Sequence, residues 1–246
     1  SIRIETVPPF DSGAIVQVLD TIDPQTVTGV ALVATDTDEV RAAVDRLIDQ
    51  GVQVATLVSD LPGSRRVHFC GIDNVAAGRT AGNLVGRFCA GRRGKVLVVA
   101  GSMKLSDHMD RASGFAAVLE AEFPDLQIVG PVETNDDAAA VRQAVATALD
   151  ASSDIVAIYN LGAGNRGLIE AIRAEKQHKP AVVAHEVTPH SRQALADGIF
   201  DAVINQDCGH EVRSAIRVLK AYADGLNPLS AQERIRIDIF LKDNLP

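Results

Sequence analysis

Polar side chains that could hold a small, hydroxyl-rich ligand stand where several predicted strands end. They are Asp36, Asp60, Asp73, Arg111, Asn160, Glu186 and Gln206. His108 belongs to the loop in front of Arg111. In open parallel sheets, ligands bind beyond the carboxyl ends of the strands. Each buried ligand hydroxyl needs a partner at a fixed position, because an unpaired buried polar group costs free energy. The pattern therefore predicts a site for a polyol such as a sugar.

Arg111 is the strongest single candidate for a ligand contact. Its guanidinium carries five N–H donors in a planar fork, which suits two adjacent hydroxyls or a carboxylate. The residue falls in the first turn of a predicted helix, after the buried strand Val96–Ala100. A cation is mildly unfavourable there because of the helix dipole. A ligand contact and a solvated surface arginine are both compatible with this position.

The aspartates among these residues also have structural explanations. Asp36 or Thr37 can cap one predicted helix, and Asp73 or Asn74 can cap the next one. Asp60 precedes a Pro-Gly turn, where aspartate is common for local reasons.

The remaining candidates are equally ambiguous. Asn160 lies in a glycine-flanked loop, where its tolerance of left-handed backbone would explain its presence. Glu186, together with the preceding His185, could form a solvated rim. The sequence leaves both interpretations open at each position.

No pattern typical of catalysis or metal binding accompanies these residues. Ser106, Asp107 and His108 are adjacent, and neighbours in sequence rarely face one another as a catalytic triad requires. The glycine-rich segment LGAGNRG (161–167) lacks the G-x-G-x-x-G spacing of a dinucleotide loop. The six histidines show no metal-ligand spacing. We therefore expect no enzymatic activity, no cofactor and no metal.

Composition narrows the class of partner. The 246-residue chain has a formal net charge of −8, which disfavours a nucleic-acid surface because phosphate binding needs a basic patch. No apolar run approaches the roughly 20 residues of a membrane span. Cys70, Cys89 and Cys208 follow no metal-ligand spacing, and reduced thiols in a cytoplasmic protein are the interpretation that this pattern favours. We expect a cytoplasmic protein without membrane contact.

Predicted strands and helices alternate along the chain, which indicates parallel sheets with right-handed crossovers. The alternation occurs in two blocks, about 1–72 and 95–206. The predicted fold is therefore α/β, with two similar lobes. The alternating segment Ile2–Val7 predicts a first strand with one exposed face. The alternating segment Ile235–Leu241 predicts a final strand that is half-exposed or at an edge of the sheet. Pro131 is expected to close the strand in front of it.

Four segments together resemble the effector-binding core of the lac-repressor/galactose-repressor family of bacterial transcriptional regulators. They are GIDNVAAGRTAG (71–82), DRASGF (110–115), IVAIYN (155–160) and VINQDCGHEVRSAI (203–216). The closing IDIFLKDNLP also resembles the last strand and tail of that family. This core shares its fold with type I periplasmic sugar-binding proteins. The resemblance covers nearly the whole chain and implies a two-lobed periplasmic-binding-protein-like I fold with a ligand between the lobes.

The resemblance also implies roles for individual residues. Arg111 matches an arginine that holds sugar hydroxyls in the family, and Asn160 matches the asparagine that ends the corresponding strand. Glu186 stands where the family commonly has an aspartate that pairs with ligand hydroxyls. Gln206 matches a glutamine at the hinge side of the cleft, and Asp73 lies at the first crossover between lobes.

Under this hypothesis the chain is the effector-sensing domain of a transcriptional regulator. The first lobe would comprise residues 1–72 and 207–232, without its first strand and helix, and the second lobe 73–206 and 233–246. A sugar, sugar acid or polyol would shift the lobe orientation and so the affinity for operator DNA, through a helix-turn-helix absent from this chain. A homodimer formed by first-lobe helices is implied. The alternative is a periplasmic sugar-binding protein of a transport system.

Overall fold

The computed structural model describes residues 2–176, 179–228 and 233–245. Its helices are α1 (Ser12–Asp20), α2 (Asp38–Asp49), α3 (Asn74–Phe88), α4 (Ser106–Glu122), α5 (Ala138–Ala151), α6 (Asn165–Ala174), α7 (Pro189–Ala196) and α8 (Cys208–Ala223). Its strands are β1 (Gly29–Leu32), β2 (Gln53–Leu57), β3 (His68–Cys70), β4 (Gly94–Ala100), β5 (Leu126–Glu133), β6 (Ile155–Asn160), β7 (Ala181–His185), β8 (Ala202–Asn205) and β9 (Asp238–Phe240). The predicted alternation of strands and helices is confirmed.

The chain divides into two units. The first unit comprises Ser1–Ile72, Lys104–Asp107 and Asp207–Arg236, and the second unit comprises Asp73–Met103, His108–Gln206 and Ile237–Pro246. Residues 104–107 and 233–236 thus fall in the first unit, whereas the predicted lobe ranges gave them to the second. Residues 229–232 of the predicted first lobe lie outside the described residues.

A short parallel sheet forms the middle of the first unit, with its strands in the order β1-β2-β3. Val54 and Ala55 are neighbours on β2 and therefore point to opposite faces of the sheet. Val54 joins the apolar core that helices α1 and α2 form on one face. Ala55 packs with Ala215 of α8 in a second apolar cluster. The unit thus has helices on both faces of one sheet.

Residues 2–7 form no strand, so the predicted first strand is wrong. Alternation decides which side chains could share a face, but a strand also needs a neighbouring backbone for its hydrogen bonds. Ile2 and Ile4 are 74% and 86% exposed, whereas Val7 packs against the core of the first unit. β1 remains the edge strand of its sheet, with its core residue Val30 only half-buried.

The second unit is built on a larger sheet with strand order β5-β4-β6-β7-β8-β9. Neighbouring strands are parallel except for β9, which pairs antiparallel with β8. Strands β6 and β7 are buried at every position, as expected for parallel strands with helices on both faces. The core includes Leu97, Ile158, Val182, Leu195 and Val203.

The two edge strands of the larger sheet, β5 and β9, differ from their predicted lengths. β5 continues through Pro131 to Glu133, so the expectation that Pro131 closes this strand is wrong. Proline is tolerated there because β5 is an edge strand, and no strand of the described ranges is hydrogen-bonded to its outer side. β9 lies at the opposite edge, as the alternation of Ile235–Leu241 predicted, but only Asp238–Phe240 pair with β8.

Candidate functional site

Polar side chains gather at the carboxyl ends of the central strands of the second unit. The strand order β4-β6-β7-β8 places these ends side by side along one edge of the sheet. His108 and Arg111 follow β4, and Asn160 ends β6. Glu186 directly follows β7, and Gln206 directly follows β8. These predicted site residues are therefore positioned at the same end of one sheet.

Arg111 is buried, with 3% of its surface exposed, so the interpretation as a surface arginine is wrong. Helices α3 and α4 approach closely here, since a Cβ added to Gly78 would lie 2.1 Å from the carbonyl oxygen of Arg111. The close approach allows Nε of Arg111 to donate to Oδ1 of Asn74 on α3, at 2.9 Å. Nη1 of Arg111 donates to the carbonyl oxygen of Leu161 at 2.8 Å. Arg111 therefore ties two helices to the loop that follows β6.

A chain of buried amides orients Asn160. Its Nδ2 donates to Oδ1 of Asn165 at 2.8 Å and to the carbonyl oxygen of Ala163 at 3.0 Å. Nδ2 of Asn165 donates in turn to the carbonyl oxygen of His185, at 2.7 Å, which links the segments that follow β6 and β7. Because the amide nitrogen of Asn160 is used inside the unit, its Oδ1 is left buried without a hydrogen-bond partner among the described residues.

An aromatic group packs beside these amides. Oη of Tyr159 lies 2.9 Å from Nε2 of His185, and the Tyr159 ring stacks on Phe115 with 4.6 Å between centroids. His185 is buried, which excludes the solvated rim for this residue. Burial, followed by the charges of Arg111 and His108, holds the pKa of His185 well below 6.5. The imidazole is therefore neutral at pH 7 and can both donate and accept a hydrogen bond.

Glu186 and Gln206 form a hydrogen-bonded pair at the ends of β7 and β8. Glu186 has φ +72°, a left-handed conformation that is uncommon outside glycine. Its N–H donates to the carbonyl oxygen of Ile204 at 2.9 Å, and its carbonyl oxygen accepts from Oγ of Ser191 at 2.6 Å. Nε2 of Gln206 donates to Oε1 of Glu186 at 2.9 Å. Oε1 of Gln206 is then left buried without a hydrogen-bond partner in the described part of the chain.

His108 and Asp73 have different surroundings. His108 is 3% exposed, and its Nδ1 lies 3.2 Å from the backbone nitrogen of Ser102. Asp73 is exposed, and its Oδ1 accepts a 2.9 Å hydrogen bond from the N–H of Ala76, which caps α3. The capping role of Asp73 is confirmed. Ligand contacts by His108 and Asp73 stay predictions.

Asp60 lies in the first unit, where neighbouring groups already hold its carboxylate. It forms an ion pair with Arg66 and accepts hydrogen bonds from Oγ1 of Thr56 at 2.8 Å and from the N–H of Leu61 at 2.7 Å. Burial alone would raise the pKa of Asp60, but the hydrogen bonds from Arg66, Thr56 and Leu61 hold it below its ordinary value. Its ligand contact stays a prediction.

Asp36 is also paired within the first unit. Its carboxylate forms an ion pair with Arg41, and its N–H donates to the carbonyl oxygen of Lys104 at 2.9 Å. The N-cap of α2 is Thr37, one of the two residues that the sequence offered for this role, and not Asp36. A ligand contact by Asp36 stays a prediction.

The asparagines that orient the cluster were not among the site residues predicted from the sequence. Asn74 accepts from Arg111, and Asn165 lies between Asn160 and His185. Both are the first residue of a helix, a position where an asparagine is easily taken for local turn chemistry. Their burial is the distinguishing signal, and that signal depends on tertiary packing.

The described residues contain no group of three or more histidine, cysteine, aspartate or glutamate side chains that could hold a metal ion. None of the helices in the described ranges is long and apolar enough to cross a membrane.

Polar groups at the carboxyl ends of parallel strands are typical of ligand-binding α/β proteins. Residues 6–227 match the family described as periplasmic binding protein domain, and the chain belongs to this family. Its fold is the two-lobed periplasmic-binding-protein-like α/β fold, with parallel sheets flanked by helices, as the sequence predicted.

Solved structures share this fold. GanP, a glucose-galactose binding protein from Geobacillus stearothermophilus, has a TM-score of 0.86 and 20% identity, over 96% of this chain and 84% of GanP. An ABC transporter solute-binding protein from Burkholderia graminis C4D1M, in complex with D-arabinose, has a TM-score of 0.86 and 23% identity, over 95% and 82% of the two chains. An Agrobacterium vitis solute-binding protein with bound D-fucose has a TM-score of 0.83 and 20% identity, over 95% and 80%. No curated protein matches the sequence.

These comparisons correct the expected function. The expectation of a transcriptional regulator is wrong, because the similar structures are sugar-binding proteins of transporters, which favours the alternative stated above. The comparisons give no support to the finer resemblance to repressors, to operator DNA or to a homodimer. The family is a ligand-binding one, and no enzyme family is indicated.

Proposed function

We propose that this protein binds a neutral sugar and serves as the solute receptor of an ABC transporter. The observation that carries the proposal is a pair of buried amide oxygens, Oδ1 of Asn160 and Oε1 of Gln206, without hydrogen-bond partners in the described part of the chain. A buried acceptor without a donor costs about 1–3 kcal/mol. A ligand hydroxyl would remove that cost because it brings a donor to the oxygen.

The type of atom left without a partner favours hydroxyls over acidic groups. Asn160 and Gln206 both turn their N–H groups toward acceptors inside the second unit. An ionised carboxylate or phosphate is acceptor-only and cannot satisfy an amide oxygen, whereas each sugar hydroxyl can donate once. The carboxylate of Glu186, hydrogen-bonded to Gln206, adds another acceptor. A sugar acid is therefore a weaker candidate than a neutral sugar or polyol.

The names of the similar proteins support the same ligand class. Those named above bind glucose and galactose, D-arabinose or D-fucose. A transporter's solute receptor works outside the cytoplasmic membrane, so our proposal replaces the expected cytoplasmic location. Fractionation of the cells that make the protein tests this location. Detection of the protein in the cytoplasmic fraction would contradict the proposal, and detection outside the cytoplasmic membrane would support it.

The proposal is tested by calorimetric titration with D-glucose, D-galactose, D-arabinose and D-fucose, with D-galacturonate as the acidic comparison. We expect at least one neutral sugar to bind and to raise the melting temperature, because a ligand of the folded state stabilises it. Asn160→Ala should weaken that binding about tenfold to hundredfold, corresponding to about 1.4–2.8 kcal/mol.

Asn227→Ala is the matched control, since Asn227 is exposed in the first unit, after α8. It should leave sugar affinity unchanged. Tighter binding of galacturonate than of any neutral sugar, or equal losses in the two variants, would reject the assignment of the amide oxygens.

A further inference from the structure

The second unit also has a surface groove that is separate from the proposed sugar site. An open groove of about 480 Å³ runs between α3 and β9. Its lining includes Arg79, Thr80, Leu84, Arg87 and Ile239. None of the residues assigned to the sugar site lines this groove. Its open form suits a segment of a macromolecule better than an enclosed small molecule.

The groove is basic although the chain is acidic. Arg79 and Arg87 are exposed, and neither forms an ion pair with any residue in the described ranges. Several arginines elsewhere are paired with nearby carboxylates, as Arg41 is with Asp36. In a chain with a formal net charge of −8, two such arginines on one groove are available to an anionic partner.

The spacing of the two arginines matches a helix. They stand eight residues apart on α3, which corresponds to about 12 Å along the helix axis and to a rotation of about 80° around it. The lining between and beside them includes the half-buried Leu84 and Ile239, which is 39% exposed. Two positive charges beside an apolar strip are complementary to an amphipathic helix with carboxylates two turns apart.

We propose that the α3–β9 groove docks an acidic amphipathic helix of a partner protein. Carboxylates of the partner would pair with Arg79 and Arg87, and its apolar stripe would cover Leu84 and Ile239. Two arginines are fewer positive charges than a nucleic acid or an anionic membrane requires of its binding surface, which favours the carboxylates of a single helix. The inference is independent of which sugar the protein binds.

The probe is a synthetic, fluorescein-labelled amphipathic peptide of about four helical turns, with glutamates two turns apart opposite a leucine stripe. We expect saturable binding by fluorescence anisotropy that weakens as salt is raised. The double variant Arg79→Glu/Arg87→Glu should bind at least about tenfold more weakly. A second peptide carries lysine in place of each glutamate. The double variant should bind this second peptide more tightly than the unaltered protein binds it.

Arg234→Glu/Arg236→Glu is the matched control, because it makes the same charge change at exposed arginines of the first unit. It should alter affinity by less than about twofold. Circular dichroism and the unchanged melting temperature would show that both variants are folded. Absence of saturable binding, equal losses in both double variants, or binding to phosphatidylglycerol vesicles in place of the peptide would overturn the proposal.

Discussion

Both units have polar residues just after the ends of parallel strands, but the two units differ in how far internal hydrogen-bond partners satisfy these residues. Asp60 follows β2 in the first unit, and Arg66, Thr56 and Leu61 all donate to its carboxylate. Asn160 ends β6 in the second unit, and its Oδ1 has no hydrogen-bond partner among the described residues. A polar residue at a strand end is therefore a weak indicator of binding. The atom that internal partners leave unsatisfied is a stronger one.

Backbone strain does not distinguish the two units. Val58 directly follows β2 with φ +61°, and Glu186 directly follows β7 with φ +72°. Left-handed backbone is particularly unfavourable for a β-branched residue such as valine. Such conformations persist where the surroundings fix them, often at binding sites. Since both units show one at a strand end, the difference between them lies in side-chain hydrogen bonding.

Gly78→Ala, the substitution with the largest expected effect, tests how tightly the second unit is packed around Arg111. A Cβ at Gly78 would lie 2.1 Å from the carbonyl oxygen of Arg111, closer than any relaxed contact. Gly78→Ala must therefore separate α3 from α4 and weaken the hydrogen bond between Arg111 and Asn74. We expect a loss of about 3 kcal/mol in the free energy of unfolding, measured by urea denaturation.

Gly13→Ala on α1 is the control from the first unit. The added Cβ would lie 3.4 Å from Oδ1 of Asp11, an ordinary contact, and Gly13 is exposed. Alanine is the better helix former, so stability should stay unchanged or rise by up to about 1 kcal/mol. Similar losses in the two variants would show that helix packing does not distinguish the units.

Asp60→Ala tests the proposed contrast between a carboxylate held by internal donors and an amide oxygen that has none among the described residues. The substitution leaves Thr56, Leu61 and Arg66 without their shared acceptor, so we expect the free energy of unfolding to fall by about 1–3 kcal/mol. Sugar affinity should change by less than about twofold, because the carboxylate is already held internally. Asn160→Ala should show the opposite pattern, with affinity more affected than stability. A large loss of sugar affinity in Asp60→Ala would instead make Asp60 a ligand contact.

The positions of the site residues were predictable from the sequence, but their orientations were not. The rule that ligands bind at the carboxyl ends of parallel strands brought Arg111, Asn160, Glu186 and Gln206 to one edge of a sheet. Which amide atom is left unpaired depends on Asn165 and on packing across strands far apart in sequence. The buried asparagines were missed because isolated hydrogen-bond partners leave no periodic signal.

Local sequence patterns predicted the fold correctly where a strand is buried on both of its faces. The apolar runs of β4, β6 and β7 predicted parallel strands correctly. Residues 2–7 show where the pattern fails, since alternation is a property of the segment and pairing is a property of its neighbours. The predicted function depended on a resemblance shared by sensors and receptors of one fold, and fold alone does not separate them.

Acidification provides the mildest test of the contrast between the units. His185 in the second unit is fully enclosed, and burial with the charges of Arg111 and His108 holds its pKa well below 6.5. Below pH 6.5 the unfolded chain binds a proton that the folded protein excludes, so stability falls as the pH is lowered through this range. The expected slope from this residue is about 1.4 kcal/mol per pH unit. Urea denaturation at successive pH values, from neutral to mildly acidic, measures it.

His68 in the first unit is the internal reference. Burial also lowers the pKa of His68, but the negative charges of Glu233 and Asp60 oppose that effect. His185→Gln should therefore remove more of the acid sensitivity below pH 6.5 than His68→Gln does. If His68→Gln has the larger effect, the more strongly desolvated histidine is in the first unit. The stronger effect of burial on the pKa of His185 than on that of His68 would then be wrong.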